Sequence, residues 1–391
     1  MWTGDKGNYC DTQKVHTRRH RRGGGHRGRN GRISALCHRD QRQCAARGGQ
    51  GDRRRLRAHS RRRARGAPRL SWRTGPSTAP PTAGSGAVKT RMSSEVARGE
   101  ETAVSSLRSR KTRLRDLGEA YSDADTRVTV DKATVTNGKA TVQVTEETTL
   151  TYKKLRGDEP SSTGFRTRYE MNLVSKRGGN WELTSIKSQE NGPVAVNEPT
   201  VAKAAVVSDD GQTYPDGTPA STKYPAPAKP KAKNTGYDYA AMAAYAEKYW
   251  KNYNPAYRTF NGGGGDCTNF ISQSLKAGGW KNVSGTTSDY RNWWYSGSQQ
   301  TDSWVGANEW AWFTNSNKRA ANLANVYQLD VGDILQVDFN RDGSKDHSMI
   351  VTYRSSAGIP YLTYHSTNTY RKSLASIIAS YPDAVYFAYR T

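Results

Sequence analysis

The sequence predicts an α+β protein with two folded units, and three observations support this fold class. A helical pattern of apolar residues over 93–121 is followed by β-branched and polar residues that alternate on both sides of Asn137-Gly138, which predicts a helix and then a β-hairpin. A stretch rich in proline, alanine and lysine at 194–235 predicts an extended linker. Beyond it, residues 236–391 again show helical patterns first and short strands afterwards.

The first 86 residues carry most of the charge. Of a formal net charge of +25, +18 lies within residues 1–73, which contain 20 Arg and 2 Lys against 4 Asp. Because a periodic apolar pattern is missing, residues 1–86 are predicted to be a disordered basic segment. A nucleic-acid-binding arm would carry this charge, and an off-frame or over-extended translation of GC-rich DNA would have this composition. Aromatic residues that stack on bases are scarce, so nucleic-acid binding is expected to be non-specific at most.

No targeting signal is visible in the sequence. No apolar run approaches the about 18 to 20 residues of a membrane span, and the N-terminus lacks the apolar segment of a secretory signal peptide. We therefore expect no membrane span.

The chain beyond residue 73 is only mildly basic, which is compatible with an anionic polymer as substrate.

Residues 87–193 are predicted to form a small helix-plus-antiparallel-sheet unit. After the hairpin, FRTRYEMNLVSKRGGNWELTSIKSQ predicts two further strands joined near 177–180. We expect the preceding helix to be interrupted at Gly99, since glycine is a poor helix former. A helix followed by a curved antiparallel sheet resembles the cone-shaped fold of SnoaL-like domains. No catalytic combination of residues occurs here, so a supporting or binding module is expected.

The stretch NGGGGDCTNFISQSLKAGG at 261–279 places a cysteine at the start of a predicted helix. Phe270, Ile271 and Leu275 share one helical face, and two glycines end the pattern. A thiol at a helix N-terminus is close to the positive end of the macrodipole, which favours thiolate, and the backbone N–H of Cys267 is a candidate oxyanion donor. The alternative is a buried structural cysteine.

Two histidines complete a possible catalytic set. Beyond residue 73 the chain contains one cysteine, Cys267, and two histidines, His347 and His365. Strands are predicted at 334–339 and 347–353, and a third strand ends near His365. A cysteine on a helix, a histidine on one strand and a polar residue on the next is the order in which a Cys-His pair with an orienting group is assembled.

The motifs of residues 236–391 resemble a known hydrolase family. GGDCTNFISQSLKAGG, VGDILQVDF, DHSMIVT and YHSTN are similar to the "Putative amidase domain" family of secreted bacterial proteins, which is related to the papain-like NlpC- and CHAP-type cell-wall hydrolases. The resemblance implies a papain-like cysteine hydrolase domain that cleaves an amide bond through an acyl-enzyme. It also implies a peptide or peptidoglycan-type substrate and an extracellular or cell-wall-associated protein.

The resemblance further implies roles for individual residues. Cys267 corresponds to the nucleophile, and His347 to the general base that then protonates the leaving amine. His365 corresponds to the third, polar position that orients His347, and Asn368 competes for that role because papain uses asparagine there. Papain places a glutamine before its cysteine to bind the oxyanion; here only Asn261 and glycines occupy that region, so Asn261 is the candidate for oxyanion support.

Other classes of function stay open at this point. Cys267, His347 and His365 could instead hold a zinc ion with an open fourth position, as in a metal hydrolase. A catalytically inactive papain-like domain that only binds a ligand is the third alternative. For the leading interpretation we expect no cofactor, no bound metal, and a monomer whose partner is its peptide or cell-wall polymer substrate.

Two further patterns have a structural explanation as well as a functional one. A tryptophan cluster would either line a groove that stacks sugars or peptide side chains, or form a core; its members are Trp293, Trp294, Trp304, Trp310 and Trp312. Residues 338–343 begin like a calcium-binding loop, but the twelfth position is Met349 rather than a bidentate glutamate. We interpret them as a polar turn between two strands.

Overall fold

A computed structural model describes residues 90–189, 213–224, 236–260 and 266–391. Within them it is a mixed α/β structure with six helices and thirteen strands. The predicted combination of helices and sheet is therefore confirmed, whereas the papain-like and SnoaL-like assignments stay predictions. The basic segment 1–86 lies outside the described residues. None of the described helices is long and apolar enough to cross a membrane.

The N-terminal unit begins with a short strand and a long helix and continues with four antiparallel strands. Its elements are β1 (Thr90–Met92), α1 (Ser94–Asp116), β2 (Tyr121–Thr136), β3 (Lys139–Tyr152), β4 (Ser162–Lys176) and β5 (Asn180–Ser188). Asn137 and Gly138 both have positive φ, 49° and 72°, which is typical of the turn that Asn-Gly forms in a hairpin. The predicted hairpin is confirmed.

The expected interruption of α1 at Gly99 is wrong. The helix runs through Gly99 without a break, and Ser93 caps its N-terminus by accepting a hydrogen bond from the backbone N–H of Val96. A single glycine costs a helix only about 1 kcal/mol relative to alanine. The cap and the apolar face, which includes the buried Val96 and Leu114, outweigh that cost.

The C-terminal unit packs helices against both faces of a sheet. Its helices are α2 (Tyr239–Tyr249), α3 (Cys267–Ala277), α4 (Asp302–Val305), α5 (Ala307–Ser316) and α6 (Leu374–Ser380). Its strands are β6 (Tyr295–Ser296), β7 (Gln299–Gln300), β8 (Ala321–Leu323), β9 (Ile334–Asp338), β10 (His347–Arg354), β11 (Pro360–Tyr364), β12 (Asn368–Ser373) and β13 (Val385–Arg390). The strands predicted at 334–339 and 347–353 are thus confirmed to within one residue.

The two units share one continuous sheet. Its strand order is β1-β5-β4-β12-β11-β10-β9-β13-β8, with β3 and β2 joined to β4. The connection is the antiparallel pairing of β4 with β12, in which Asn368 faces Arg166 and Tyr370 faces Gly164. Arg113 of α1 also donates to the carbonyl oxygen of Ala379 at 2.7 Å. The small unit therefore supplies strands next to those that carry the candidate site, and the predicted domain limits stay a prediction.

Part of the predicted linker lies against the C-terminal unit. In the described segment 213–224, Ala220 N donates to Tyr386 O at 2.7 Å and Ser221 N donates to Ala324 O at 2.9 Å. Tyr214 stacks on Trp312 with ring centroids 3.8 Å apart. This segment forms no helix, as expected of a chain rich in proline.

The tryptophan cluster is mainly core. Trp293, Trp304 and Trp310 are at most 1% exposed and pack with Phe270 and Ile271 of α3. Trp294 and Trp312 are only partly buried. The helix that carries the cysteine therefore rests on an aromatic core, which fixes its position relative to the sheet.

Candidate active site

Cys267 is the first residue of α3, as the sequence predicts. Asp266 is the N-cap residue, and both are buried, with 4% and 0% of their surface exposed. Polar residues of this helix are also buried, including Thr268 and Asn269. Because buried polar groups need partners, they show where α3 makes specific contacts with the rest of the unit.

His347 lies at the start of β10, beside the N-terminus of α3. Thr268 Oγ1 and Ser348 Oγ are 3.0 Å apart, so the residues that follow Cys267 and His347 are hydrogen-bonded to each other. The backbone of Ser348 also hydrogen-bonds the Cys267 thiol. Gln336 of β9 donates from Nε2 to Ser348 Oγ at 3.0 Å. The structure thus brings Cys267 next to the backbone of the residue that follows His347, while among the described residues no hydrogen bond joins the Cys267 thiol to either His347 ring nitrogen.

The environment of His347 is almost entirely apolar. The residue is 1% exposed, and among the described residues neither ring nitrogen has a hydrogen-bond partner. Tyr364 packs edge-on against the imidazole with centroids 5.2 Å apart, and Phe339 stacks at 6.3 Å. Burial disfavours the charged form and lowers the pKa of His347 to about 3. At neutral pH the imidazole is therefore uncharged and keeps a lone pair for a proton.

The charge state of Cys267 differs from the sequence expectation. Burial raises the pKa of the thiol above its usual value; hydrogen bonds from Ser348 and Thr268 oppose this rise, and the charge of Asp266 adds to it. Desolvation of the thiolate in this closed site outweighs the helix N-terminus that would favour it. In the resting protein Cys267 is therefore a thiol, and the imidazole of His347 is neutral.

His365 follows β11 directly and is oriented away from His347. Its Nδ1 lies 2.6 Å from Asp266 Oδ2, and its Nε2 lies 2.8 Å from the carbonyl oxygen of Tyr249. The residue is 1% exposed. Both ring nitrogens are thus occupied by other partners in this structure, and the role of His365 as third catalytic residue stays a prediction.

The other two candidate residues have different positions. Asn368 is the first residue of β12, and its Oδ1 accepts a hydrogen bond from the hydroxyl of Tyr253 at 3.2 Å. Asn261 lies outside the described residues. Within the described part of the chain, no group orients His347 by a hydrogen bond.

The positions of the candidate ligands are relevant to both the zinc and the calcium interpretation. Among the described residues, no group of three or more His, Cys, Asp or Glu side chains is placed to hold a metal ion. The zinc alternative would require His365 to leave Asp266 and Tyr249. In the calcium-like stretch, Asp338 accepts hydrogen bonds from the backbone N–H groups of Arg341 and Gly343, at 2.6 and 3.0 Å, which is the pattern of a polar turn.

Asp266 is the functional candidate that sequence reasoning did not assign. Besides His365, its carboxylate accepts hydrogen bonds from Phe260 N at 3.0 Å and from Asn269 Nδ2 at 2.8 Å. Asn269 in turn accepts from the indole N–H of Trp304 at 2.9 Å. The sequence signal was an aspartate directly before the cysteine, with the polar residues Thr268 and Asn269 directly after it.

Comparisons with known proteins find curated relatives and a family. Over 140 residues, 34% of its length, this chain is 34% identical to the uncharacterized protein YhbB of Bacillus subtilis (strain 168), and the match covers 44% of that protein's length. Over 143 residues it is 31% identical to the uncharacterized protein YjcM of the same organism, which covers 32% of that protein. The chain thus spans less than half the length of these relatives. No solved structure shows a significant match. Residues 236–389, which contain Cys267, His347 and His365, match the family described as "Putative amidase domain".

Proposed function

We propose that residues 236–391 form a cysteine-dependent amide hydrolase in which Cys267 is the nucleophile and His347 the general base. The observation that supports this most is a buried imidazole without a hydrogen-bond partner among the described residues, directly before Ser348, whose backbone hydrogen-bonds the buried thiol of Cys267 at the start of α3. An unpartnered polar group that is fully buried is destabilising. Such a cost is typical of sites that are organised for chemistry rather than for stability.

The chemistry is a proton transfer coupled to attack. The thiol proton of Cys267 moves to a ring nitrogen of His347, and the sulfur forms a bond to the amide carbonyl carbon. The carbon–nitrogen bond then breaks, and the His347 imidazolium gives its proton to the leaving amine. Water hydrolyses the resulting thioester, with His347 accepting the proton of the water and returning one to the Cys267 sulfur.

The position of Cys267 also supplies a group for the negative charge that develops on the carbonyl oxygen. The first backbone N–H groups of a helix lack partners within the helix. The N–H of Cys267, at the start of α3, is therefore the donor we assign to the oxyanion.

For the substrate we propose a peptide or peptidoglycan-type amide, and for the location the cell exterior or cell wall. Support comes from the amidase family matched by residues 236–389 and from the resemblance to papain-like cell-wall hydrolases. A ligand-binding domain without catalysis is the competing function. It predicts binding of wall fragments without release of a free amine.

The test is hydrolysis of peptidoglycan fragments and acylated peptides by the full chain, followed as released amine. Cys267→Ala is expected to abolish release, because it removes the thiol that forms the thioester in the proposed mechanism. The matched control replaces Cys10, Cys37 and Cys44 by serine and should keep full activity. Release of amine by Cys267→Ala at the wild-type rate would refute the proposal.

A further inference from the structure

We propose that Asp266 and His365 form a buried carboxylate–imidazolium pair that positions the N-terminus of α3, and with it Cys267. This proposal rests on the proposed role of Cys267 as nucleophile. In this proposal His365 carries a permanent positive charge and takes no part in the proton transfer, and Asp266 is a positioning residue.

The contacts determine how many protons the pair holds. A carbonyl oxygen only accepts hydrogen bonds, so at 2.8 Å from Tyr249 O the Nε2 atom of His365 must carry a proton. The contact of 2.6 Å between His365 Nδ1 and Asp266 Oδ2 requires a second proton, since a carboxylate and an unprotonated ring nitrogen would both be acceptors. With both protons on the ring, His365 is an imidazolium and Asp266 a carboxylate.

The two helices that meet at this pair favour these charges. Tyr249 is the last residue of α2, where the helix macrodipole is negative, and it accepts from the imidazolium. Asp266 is the N-cap of α3, where the macrodipole is positive, and it carries the carboxylate. The ion pair therefore neutralises two opposed helix ends at the point where they approach each other.

Aromatic rings cover the imidazolium on both sides. Phe270 stacks on the His365 ring with centroids 3.9 Å apart, and Tyr253 packs against it at 4.0 Å. A cation over an aromatic face is stabilised, and more so when water is excluded. The rings thus compensate part of the cost of burying a charged histidine.

Hydrogen bonds of the pair join several parts of the chain around Cys267. The carboxylate of Asp266 accepts hydrogen bonds from the backbone N–H of Phe260 and from the side chain of Asn269, and it pairs with the ring of His365. The backbone N–H of Asp266 donates to Ser366 Oγ at 3.0 Å. Phe260 and Asp266 flank residues 261–265, and Asn269 belongs to the first turn of α3. Loss of the carboxylate charge should let this helix end shift relative to His347.

The experiment counts the protons directly. In the full chain labelled with ¹⁵N-histidine, the proposal predicts that one histidine shows two protonated ring nitrogens at neutral pH, with ring protons that exchange slowly. The signal should persist in His347→Gln and vanish in His365→Asn. If the wild-type His365 has a single protonated nitrogen, the proposal is wrong, whatever the activity of Cys267.

The positioning role is tested by Asp266→Asn, which keeps the shape and removes the charge. We expect the second ring proton of His365 to be lost and kcat to fall by about 100-fold, the effect of a displacement of about 1 Å in the reacting groups. KM should change little, because Asp266 does not touch substrate. Asp333→Asn is the matched control, since Asp333 is also buried and paired, with Arg390, and it should retain kcat. Wild-type kcat in Asp266→Asn would contradict the positioning role.

Discussion

The ends of two neighbouring strands carry histidines that are equally buried and differ in almost everything else. His347 at the start of β10 and His365 after the end of β11 are each 1% exposed, and the antiparallel pairing of these strands puts both residues at the same end of the strand pair. Among the described residues His347 has no hydrogen-bond partner, whereas both nitrogens of His365 are occupied. Burial alone therefore does not reveal the role of a histidine; its partners do.

The difference has an electrostatic meaning. Around His347 the described residues offer aromatic rings and no charge, so a proton on the ring is held weakly. The imidazole can accept a proton only when a negative partner forms beside it, which is the role we propose for the Cys267 thiolate. Around the His365 ring lie a carboxylate, a helix carbonyl and two aromatic faces. In the proposed mechanism His347 gains a proton during the reaction, whereas in the proposed ion pair His365 keeps its protons.

The largest effect is expected when the proposed general base, His347, is removed. His347→Gln is expected to lower kcat by about 10²- to 10⁴-fold, the usual contribution of a general base. Hydrolysis of the same peptidoglycan fragments measures it, and far-UV circular dichroism checks that the variant is folded. A loss below about threefold would mean that His347 is not the base.

The pH dependence of the free energy of unfolding distinguishes a buried histidine without hydrogen-bond partners from one that has them. The pKa of His347 is lowered to about 3 in the folded protein, against about 6.5 when unfolded. Between these values the unfolded state binds the extra proton, so the stability is fully present above pH 6.5 and falls as pH decreases toward 3. The His347 contribution to this slope is at most about 1.4 kcal/mol per pH unit.

Urea unfolding of wild type and His347→Gln between pH 4 and 7 measures that contribution as a difference between two curves. Other buried groups titrate in both proteins and cancel. We expect the variant to lose less stability on acidification than the wild type. Parallel curves would show that the pKa of His347 is the same in the folded and the unfolded protein, which would contradict the lowered pKa.

A smaller effect is expected when Tyr253, which packs against the His365 ring, is substituted. Tyr253→Leu removes a ring face from the imidazolium, while Tyr253→Phe keeps the ring and removes only the hydroxyl that donates to Asn368. Tyr253→Leu should reduce the free energy of unfolding by about 1–2 kcal/mol more than Tyr253→Phe does. Equal losses, measured by urea unfolding at pH 7, would argue against a cation at His365.

Local sequence patterns were sufficient for the elements that carry the site. The glycines and the apolar spacing of Phe270, Ile271 and Leu275 predict α3 with Cys267 at its start, and the short apolar and β-branched run after His347 predicts β10. These signals are short-range, because a helix end and a strand-forming run each involve residues within a few positions of each other.

Contacts between distant parts of the chain could not be predicted in the same way. Asp266 and His365 are 99 residues apart, and Thr268 and Ser348 are 80 residues apart. Likewise, no local pattern indicates that β4 pairs with β12 and so joins the two units in one sheet. The raised pKa of the thiol also depends on tertiary burial, which opposes the helix N-terminus that the sequence shows.

The most direct measurement of the central claim is peptide mapping by mass spectrometry after rapid acid quench of the full chain with a peptidoglycan-derived peptide. The account predicts an acyl adduct on the peptide that contains Cys267, at a level that falls sharply in His347→Gln and is zero in Cys267→Ala. Release of product without any adduct on Cys267 would contradict a cysteine acyl-enzyme. An adduct that forms in His347→Gln as fast as in the wild type would contradict the division of roles between the two histidines.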